Sequence, residues 1–267
     1  MVILDPLVTR IREGDTKAME ELLAKVAPAV ARFGRRMCKN SADAEDVLQD
    51  TLLNIATHLG EFEGRSSLNS WVFALTRSAC TRHRRGLKNK PHVNEDDIAE
   101  PASHEASPED RAADHELADA LTRALDALSE EHREVVLLRD VEGLTALDAA
   151  SALGISVEAL KSRLHRARAA LKAELAPLLE TDAARPSSSG CPEVVALWSS
   201  KLEGDLSAND CATMEKHILT CSACARACDA LKTALSACRS SGTAPVRPEV
   251  QRLVKAAVRE WSLSLAR

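Results

Sequence analysis

The feature that most constrains this chain is residues 143–172, GLTALDAASALGISVEALKSRLHRARAALK, whose spacing predicts two short helices meeting at a tight turn. Thr145 is a good N-cap, and Asp148 three residues on completes a capping box of the T-x-x-D kind. Ala149, Ala150 and Leu153 are small or apolar and leave room for a second helix to cross close by. Gly154 stands where the first helix must stop, because glycine takes the left-handed conformation cheaply. Ser156 caps a new helix, with Glu158 in its first turn, where an acid suits the dipole. Leu160, Leu164, Ala167 and Leu171 recur at four, three and four residues and predict one buried face. Lys161, Arg163, Arg166, Arg168 and Lys172 oppose Glu158 alone; five minus one leaves +4 on the rest of that helix. A helix-turn-helix with a basic second helix suits a DNA major groove. Taken alone, an ordinary surface helix with a solvated charge face fits as well.

At 267 residues there is room for two or three small domains. Hydrophobic residues make up 45%, only 10 residues are glycine, and no apolar run alternates with period two, so the expected fold class is all-α. The net charge of −5 excludes a uniformly basic nucleic-acid coat, and the distribution says more than the total. Residues 1–90 hold 15 Lys/Arg against 11 Asp/Glu, hence +4. Residues 91–112 hold one Arg against seven acids, hence −6. The opening MVILDPLVTRIREGD meets Asp5 and Pro6 too early for a signal peptide. No run approaches the 18 or so apolar residues of a membrane span. A cytoplasmic protein with no membrane partner and reduced cysteines is expected.

Residues 10–38 are predicted as a helix on Ile11, Ala18, Leu22, Val26, Val30, Phe33 and Met37. Asn40 and Ser41 break and recap it. The next helix gathers Ala44, Val47, Leu48, Leu52, Ile55, Ala56 and Leu59 on one side and shows Asp43, Asp46, Gln49, Asp50 and Leu53 on the other. Gly60 and Gly64 flank a polar loop, after which Leu68, Trp71, Val72, Leu75 and Ala79 turn inward on a further helix. That helix ends in Arg82, His83, Arg84, Arg85, Lys88 and Lys90, more cationic groups than a helix dipole needs and a fit for phosphate. Residues 91–110 are rich in proline and acid without helical period, a linker by composition. Leu117, Leu121, Leu125 and Leu128 open a second helical region, in which Ser129 caps a helix carrying Val135, Val136, Leu138 and Val141.

Asp43-Ala44-Glu45-Asp46, Gln49-Asp50, Trp71 and the arginine-rich run resemble region two of the extracytoplasmic-function (ECF) sigma factors. Residues 143–172, with Ser162-Arg163-Leu164 and Arg166-Ala167-Arg168, resemble region four of the same family, in the right order and separation. The resemblance implies that Asp43, Asp46, Gln49, Asp50 and Leu53 dock on core RNA polymerase. It implies that the loop 61–67 and the helix through Trp71, Arg77, Ser78, Arg82, Arg84 and Arg85 read and melt the minus-ten element. Lys161, Ser162, Arg163, His165 and Arg166 would face the minus-thirty-five DNA. Ser78 and Thr81 stand where the family commonly has asparagine and aspartate, and the acidic linker would follow the polymerase's RNA path or serve as a plain spacer.

Six of the eight cysteines lie between Cys191 and Cys238, which points to metal or redox chemistry. His217, Cys221 and Cys224 fall at i, i+4 and i+7, one face if the stretch is a helix, and Cys228 extends the stripe. A tetrahedral site needs four ligands, and Cys191 is the candidate fourth. Cys211, Cys228 and Cys238 exceed that need; extra thiols favour soft ions, zinc, Cu(I) or cadmium. The stretch resembles the zinc-finger domain of zinc-binding anti-sigma factors. With the sigma regions it resembles the metal-responsive CorE-like group, which implies a metal switch acting in cis without a separate anti-sigma factor. A structural zinc among unrelated cysteines is the plainer alternative. Cys38 and Cys80 read as core filler. The tail, with Val250, Leu253, Val254, Ala257, Val258 and Trp261, is amphipathic and expected to pack on another part of the molecule.

The expected organisation is a region-two domain (1–90), an acidic linker (91–112), a region-four domain (113–180), a second linker (181–190), a cysteine-rich metal-binding helical domain (191–240) and an amphipathic tail (241–267). The expected function is promoter-specific transcription initiation with core RNA polymerase, promoter DNA and a metal ion as partners, and no enzymatic activity. The rival is a one-component metal-sensing helix-turn-helix regulator acting without polymerase. A zinc hydrolase is disfavoured, since no carboxylate beside the His/Cys motif offers a general base.

Overall fold

The computed structural model describes residues 6–38, 40–87, 122–179, 194–222, 224–225, 228–229, 232 and 248–265. In chain order its main helices are α1 (Pro6–Arg12), α2 (Thr16–Met37), α3 (Ser41–His58), α4 (Leu68–Leu87), α5 (Glu130–Val136), α6 (Ala146–Leu153), α7 (Val157–Leu179), α8 (Val194–Leu202), α9 (Ala208–Thr220) and α10 (Pro248–Leu265). No strand occurs among the described residues, so the all-α expectation holds. Both expected linkers, 91–112 and 181–190, lie outside the described residues, as do Leu117, Leu121, Lys88, Lys90, Cys191 and Cys238.

The helices gather into two units. The first contains α1–α4, α6 and α10. The single helix expected over 10–38 is in fact two. Asp15 starts the second by accepting the Lys17 and Ala18 N–H groups at 2.9 and 3.1 Å, an N-cap that recruits the chain's own donors. Arg10 grips the same carboxylate at 2.6 Å; with the Ala18 N–H it holds the Asp15 pKa below the ordinary value. Asn40 caps α3 as expected, its Oδ1 accepting from the Asp43 N–H at 2.8 Å.

The apolar stripes of α2 and α3 close on one another through Met19, Leu22, Leu23, Leu52 and Ile55, joined by Leu59 just after α3, all fully or nearly fully buried. Each such side chain stabilises the fold by roughly 1.5–3 kcal/mol relative to exposure. The amphipathic tail finds its partner here: α10 packs on α2 and α3 and puts Val250, Val254, Ala257 and Trp261 into the same core. Their spacing of four, three and four is one helical face. The first helix of the helix-turn-helix, α6, also groups with this unit, and the buried Ser70 hydroxyl donates to the Asp148 carbonyl at 2.8 Å.

The second unit contains α5 and α7–α9. Ser129 caps α5, accepting from the His132 N–H at 3.4 Å, and a wider π-type turn, Leu137–Val141, extends it. Helix α5 packs on α7; Val135 and Val136 of the one and Leu160, Leu164, Ala167 and Leu171 of the other are buried, as are Leu137 and Leu138 in the turn that follows α5. The four-three-four stripe read from the sequence is therefore the inner face of α7. The helices α8 and α9 of the cysteine-rich stretch belong to the same unit as α7.

Candidate nucleic-acid interface and metal centre

The turn before α7 forms as the sequence dictates. Helix α6 begins directly after Thr145, and Gly154 has φ +66°, the left-handed conformation that ends it. A Cβ there would meet nothing within 4 Å, so only the backbone calls for glycine. Ser156 accepts the Ala159 N–H at 3.1 Å and starts α7. The adjoining Glu158 carboxyl has its pKa lowered by its own backbone N–H and by the Ser156 hydroxyl.

Along α7 the expected DNA-facing residues divide. Ser162 and Arg166 are exposed, and among the described residues Arg166 bonds within its own turn, to the Ser162 carbonyl at 3.3 Å and hydroxyl at 3.5 Å. His165 is half-buried. Arg163 pairs with Glu131 of α5 at 3.3 Å. Lys161 is engaged by Asp205, Nζ to Oδ1 at 2.5 Å.

One residue expected on the basic face lies inside the fold. Arg168 is fully buried and faces inward. Its Nε and Nη2 clasp the two Asp140 oxygens at 3.0 and 2.6 Å, a bidentate fork. Nη1 donates to the Ser199 hydroxyl at 2.6 Å and carbonyl at 3.4 Å, and Nη2 also reaches Glu203 at 3.0 Å. All five N–H groups are thereby used. The Trp198 ring lies 5.9 Å from the guanidinium carbon. Burial alone would lower the Arg168 pKa, but Asp140 and Glu203 outweigh it and the net shift is upward. Glu203 is shared with Arg139, whose Nε donates at 3.0 Å, so two cations and two carboxylates balance. A charge this deep is tolerable only when fully bonded. The signal was present in the spacing: position 168 is four after Leu164 and three before Leu171, on the edge of the apolar stripe.

In the first unit Asp46 and Gln49 are exposed on α3, while Asp43 is half-buried in its first turn. Asp50 turns toward α4, with His83 Nε2 at 3.1 Å and Arg82 at 3.9 Å. Leu53 is half-buried against the core. Trp71 packs against Phe62, the rings tilted by 47° with centroids 5.4 Å apart, and lies on that core, so it helps fix the loop that precedes it. Ser78, Arg82 and Arg85 are exposed, Arg77 and Arg84 half-buried. Arg82 donates to Ser78 at 3.3 Å and Arg84 to Thr81 at 3.4 Å. The expected core-filler pair lies in the same unit: Cys80 is buried, and its hydrogen bond lowers the Cys38 pKa against the opposing effect of burial.

The metal-type donors assemble, though not on one helical stripe. Helix α9 ends at Thr220, and Cys221 follows in an extended conformation (φ −111°, ψ 100°). The chain turns there, with the Cys221 N–H on the His217 carbonyl at 2.8 Å, and brings Cys224 back to His217. The donor atoms of His217, Cys221 and Cys224 lie within 4.8 Å of one another, and His217 Nε2 is 3.3 Å from Cys224 Sγ. Zinc–sulfur bonds of about 2.3 Å in a tetrahedron place neighbouring sulfurs roughly 3.8 Å apart, so this spread fits such an ion. The further candidates stand apart: Cys211 donates to Glu215 at 3.5 Å, and Cys228, outside the three-residue cluster, is buried, which raises its pKa. The helical break at Cys221 ends the i+11 register that would have carried Cys228 onto the stripe.

Comparison with known proteins finds three family matches along the chain. A family model described as "Sigma-70 region 2" matches residues 22–90, and one described as "Sigma-70, region 4" matches residues 118–171. A third, "Putative zinc-finger", matches residues 191–225. The chain is 37% identical over 180 residues to the RNA polymerase sigma factor CarQ of Myxococcus xanthus, covering 66% of this chain and 99% of that protein. It is 33% identical over 158 residues to the ECF RNA polymerase sigma factor SigM of Mycobacterium tuberculosis, covering 59% of this chain and 77% of that one. A solved complex of the sigma factor RpoE with the anti-sigma factor NepR from Bartonella quintana is similar at 27% identity and a TM-score of 0.49, covering 60% of this chain and 98% of that one. The chain belongs to the ECF sigma factors. It is a transcription initiation factor and not an enzyme, and it carries a zinc-finger-like C-terminal region that the sigma regions do not account for. No described helix is long and apolar enough to cross a membrane.

Proposed function

We propose that this ECF sigma factor directs promoter-specific initiation in the cytoplasm and is regulated in cis by a metal ion held at its C-terminal region. The observation that supports the reading is the His217, Cys221 and Cys224 cluster, carried in the same unit as helix α7. Helix α9, which ends at the cluster, is tied to α8 by Lys201 and Glu215 at 2.6 Å, and α8 in turn contacts α7. A bound ion would fix the chain turn after α9, with Cys191 as candidate fourth ligand. Thiolates bind deprotonated, so occupancy couples to pH and to local order. The donor set suits zinc, and Cu(I) or cadmium by the softness of sulfur. Region two supplies the docking face for core polymerase at Asp43, Asp46, Gln49, Asp50 and Leu53. The end of α4 and the outer face of α7 supply the contacts to promoter DNA.

The test is in vitro transcription with purified chain, core polymerase and template during titration of zinc, copper and cadmium, beside metal analysis of the purified protein. The wild type should respond to at least one metal with no anti-sigma protein present, and Cys221→Ser or Cys224→Ser should be fixed in one state. A response only on adding a separate anti-sigma protein would overturn regulation in cis. Transcription flat across all three metals would leave a structural zinc module.

A further inference from the structure

We infer that the turn at residues 203–205 is a resident acidic competitor for promoter DNA on the recognition helix. The inference rests on the reading that α7 meets DNA through Lys161.

The sequence prepares the turn. Helix α8 stops at Leu202, and Gly204 takes φ +72°, the left-handed residue that closes a helix and redirects the chain. The turn is sealed by the Gly204 N–H on the Lys201 carbonyl at 3.1 Å and the Asp205 N–H on the Ser200 carbonyl at 2.9 Å. On either side of the glycine stand two carboxylates with different fates. Glu203 is buried between Arg139 and Arg168, and Arg139 also donates to the Leu202 carbonyl at 3.2 Å. Asp205 is about half exposed and reaches out to Lys161.

Those fates define an anchor and a competitor. The anchor is neutralised on both sides and shut away from water, so DNA cannot displace it without opening the unit. The competitor holds an ammonium at the solvent edge, where an ion pair is weak and exchangeable. A DNA phosphate offers Lys161 the same interaction, a charge-assisted bond to an anionic oxygen. Because Glu203 is pinned two residues away, Asp205 is presented at high effective concentration. Arg163 is held by Glu131 at 3.3 Å, whereas among the described residues Arg166 and Ser162 bond within their own turn, so the face is restrained at Lys161 and Arg163 and left open at Ser162 and Arg166. The device therefore sets the affinity of α7 for DNA and makes it sensitive to the placement of α8.

The experiment is equilibrium binding of full-length protein with core polymerase to a promoter duplex across a salt series. Asp205→Asn should tighten binding roughly two- to five-fold at low salt. It should also steepen the plot of log affinity against log salt by about one phosphate contact, a slope change near −0.9. Asp205→Glu, which keeps the charge, should restore wild-type behaviour. Lys161→Ala should weaken binding and flatten the slope, and in that background Asp205→Asn should do nothing. Unchanged affinity and slope for Asp205→Asn would overturn the inference, as would an undiminished gain in the Lys161→Ala background. If Lys161→Ala leaves binding untouched, the DNA-facing reading fails and the competitor with it. Insensitivity of transcription to metal removes only regulation by metal. Far-UV circular dichroism on each variant separates these outcomes from misfolding.

Discussion

Two additions to the sigma regions are held by opposite physics. Helix α10 is attached to region two by an apolar face, Val250, Val254, Ala257 and Trp261 merging with the core of α2 and α3. Helix α8 is attached to the region-four helix by a buried ionic cluster, Arg168 and Arg139 against Asp140 and Glu203, with Lys161 and Asp205 at its rim. Apolar burial is non-directional and is not subject to the charge screening that weakens an exposed ion pair. A buried ion cluster is directional and severe when one member is lost, because its partners remain desolvated and unpaired. The first kind of joint suits a fixture. The second suits a part whose position must be specified and, at its rim, exchanged for DNA.

The largest expected effect follows from the cluster. Arg168→Ala strands Asp140 and Glu203 together and should destabilise the second unit by about 3–5 kcal/mol. Trp198, at 5.9 Å from the guanidinium, is a local reporter for a urea titration of the full chain. The first unit, followed through Trp71 and Trp261 in a Trp198→Phe background, should keep its midpoint. A shift of both midpoints together would show that the two joints do not fail separately.

Trp261→Ala tests the other joint. Removing a nearly buried indole from a packed face should cost about 3 kcal/mol, by lost transfer energy and the cavity left behind. The loss should be the same at 50 mM and at 500 mM salt to within about 0.5 kcal/mol, since no charge separation is involved. A strong salt dependence would mean that α10 is held by its charged flank, through residues such as Lys255 and Arg259, and the contrast with α8 would collapse.

The contrast also explains which parts of the molecule were legible in the sequence. Apolar periodicity found α3, the inner face of α7 and the buried face of α10, because burial of one stripe is what periodicity records. It missed the break between α1 and α2, where the cap chemistry of Asp15 overrides a continuing apolar pattern. The metal donors were found by residue type and spacing, yet the geometry behind them differs: a helix end at Cys221, not a stripe, gathers them. The sequence puts Arg168 on the surface because a charge on a helix usually lies there. Its partners, Asp140, Ser199 and Glu203, are 28, 31 and 35 residues away, and no local pattern announces such a meeting. Asp205, 44 residues from Lys161, was invisible for the same reason.

The smallest expected effect concerns the point where the chain passes from α6, in the first unit, to α7, in the second. Gly154 adopts φ +66° with open space around the position of a Cβ, so a side chain there meets no neighbour. Gly154→Ala should therefore cost about 1 kcal/mol, all of it backbone strain in the left-handed region. Gly154→Asn should cost less, since asparagine visits that region with help from its own side chain. Neither variant touches the ionic cluster or the α10 face, so both joints should survive intact and only the turn should weaken. Thermal melts of the two variants beside wild type measure this ordering. If alanine costs as much as Trp261→Ala, the turn is strained by more than its own dihedral angle. Both units would then depend on the conformation of one glycine.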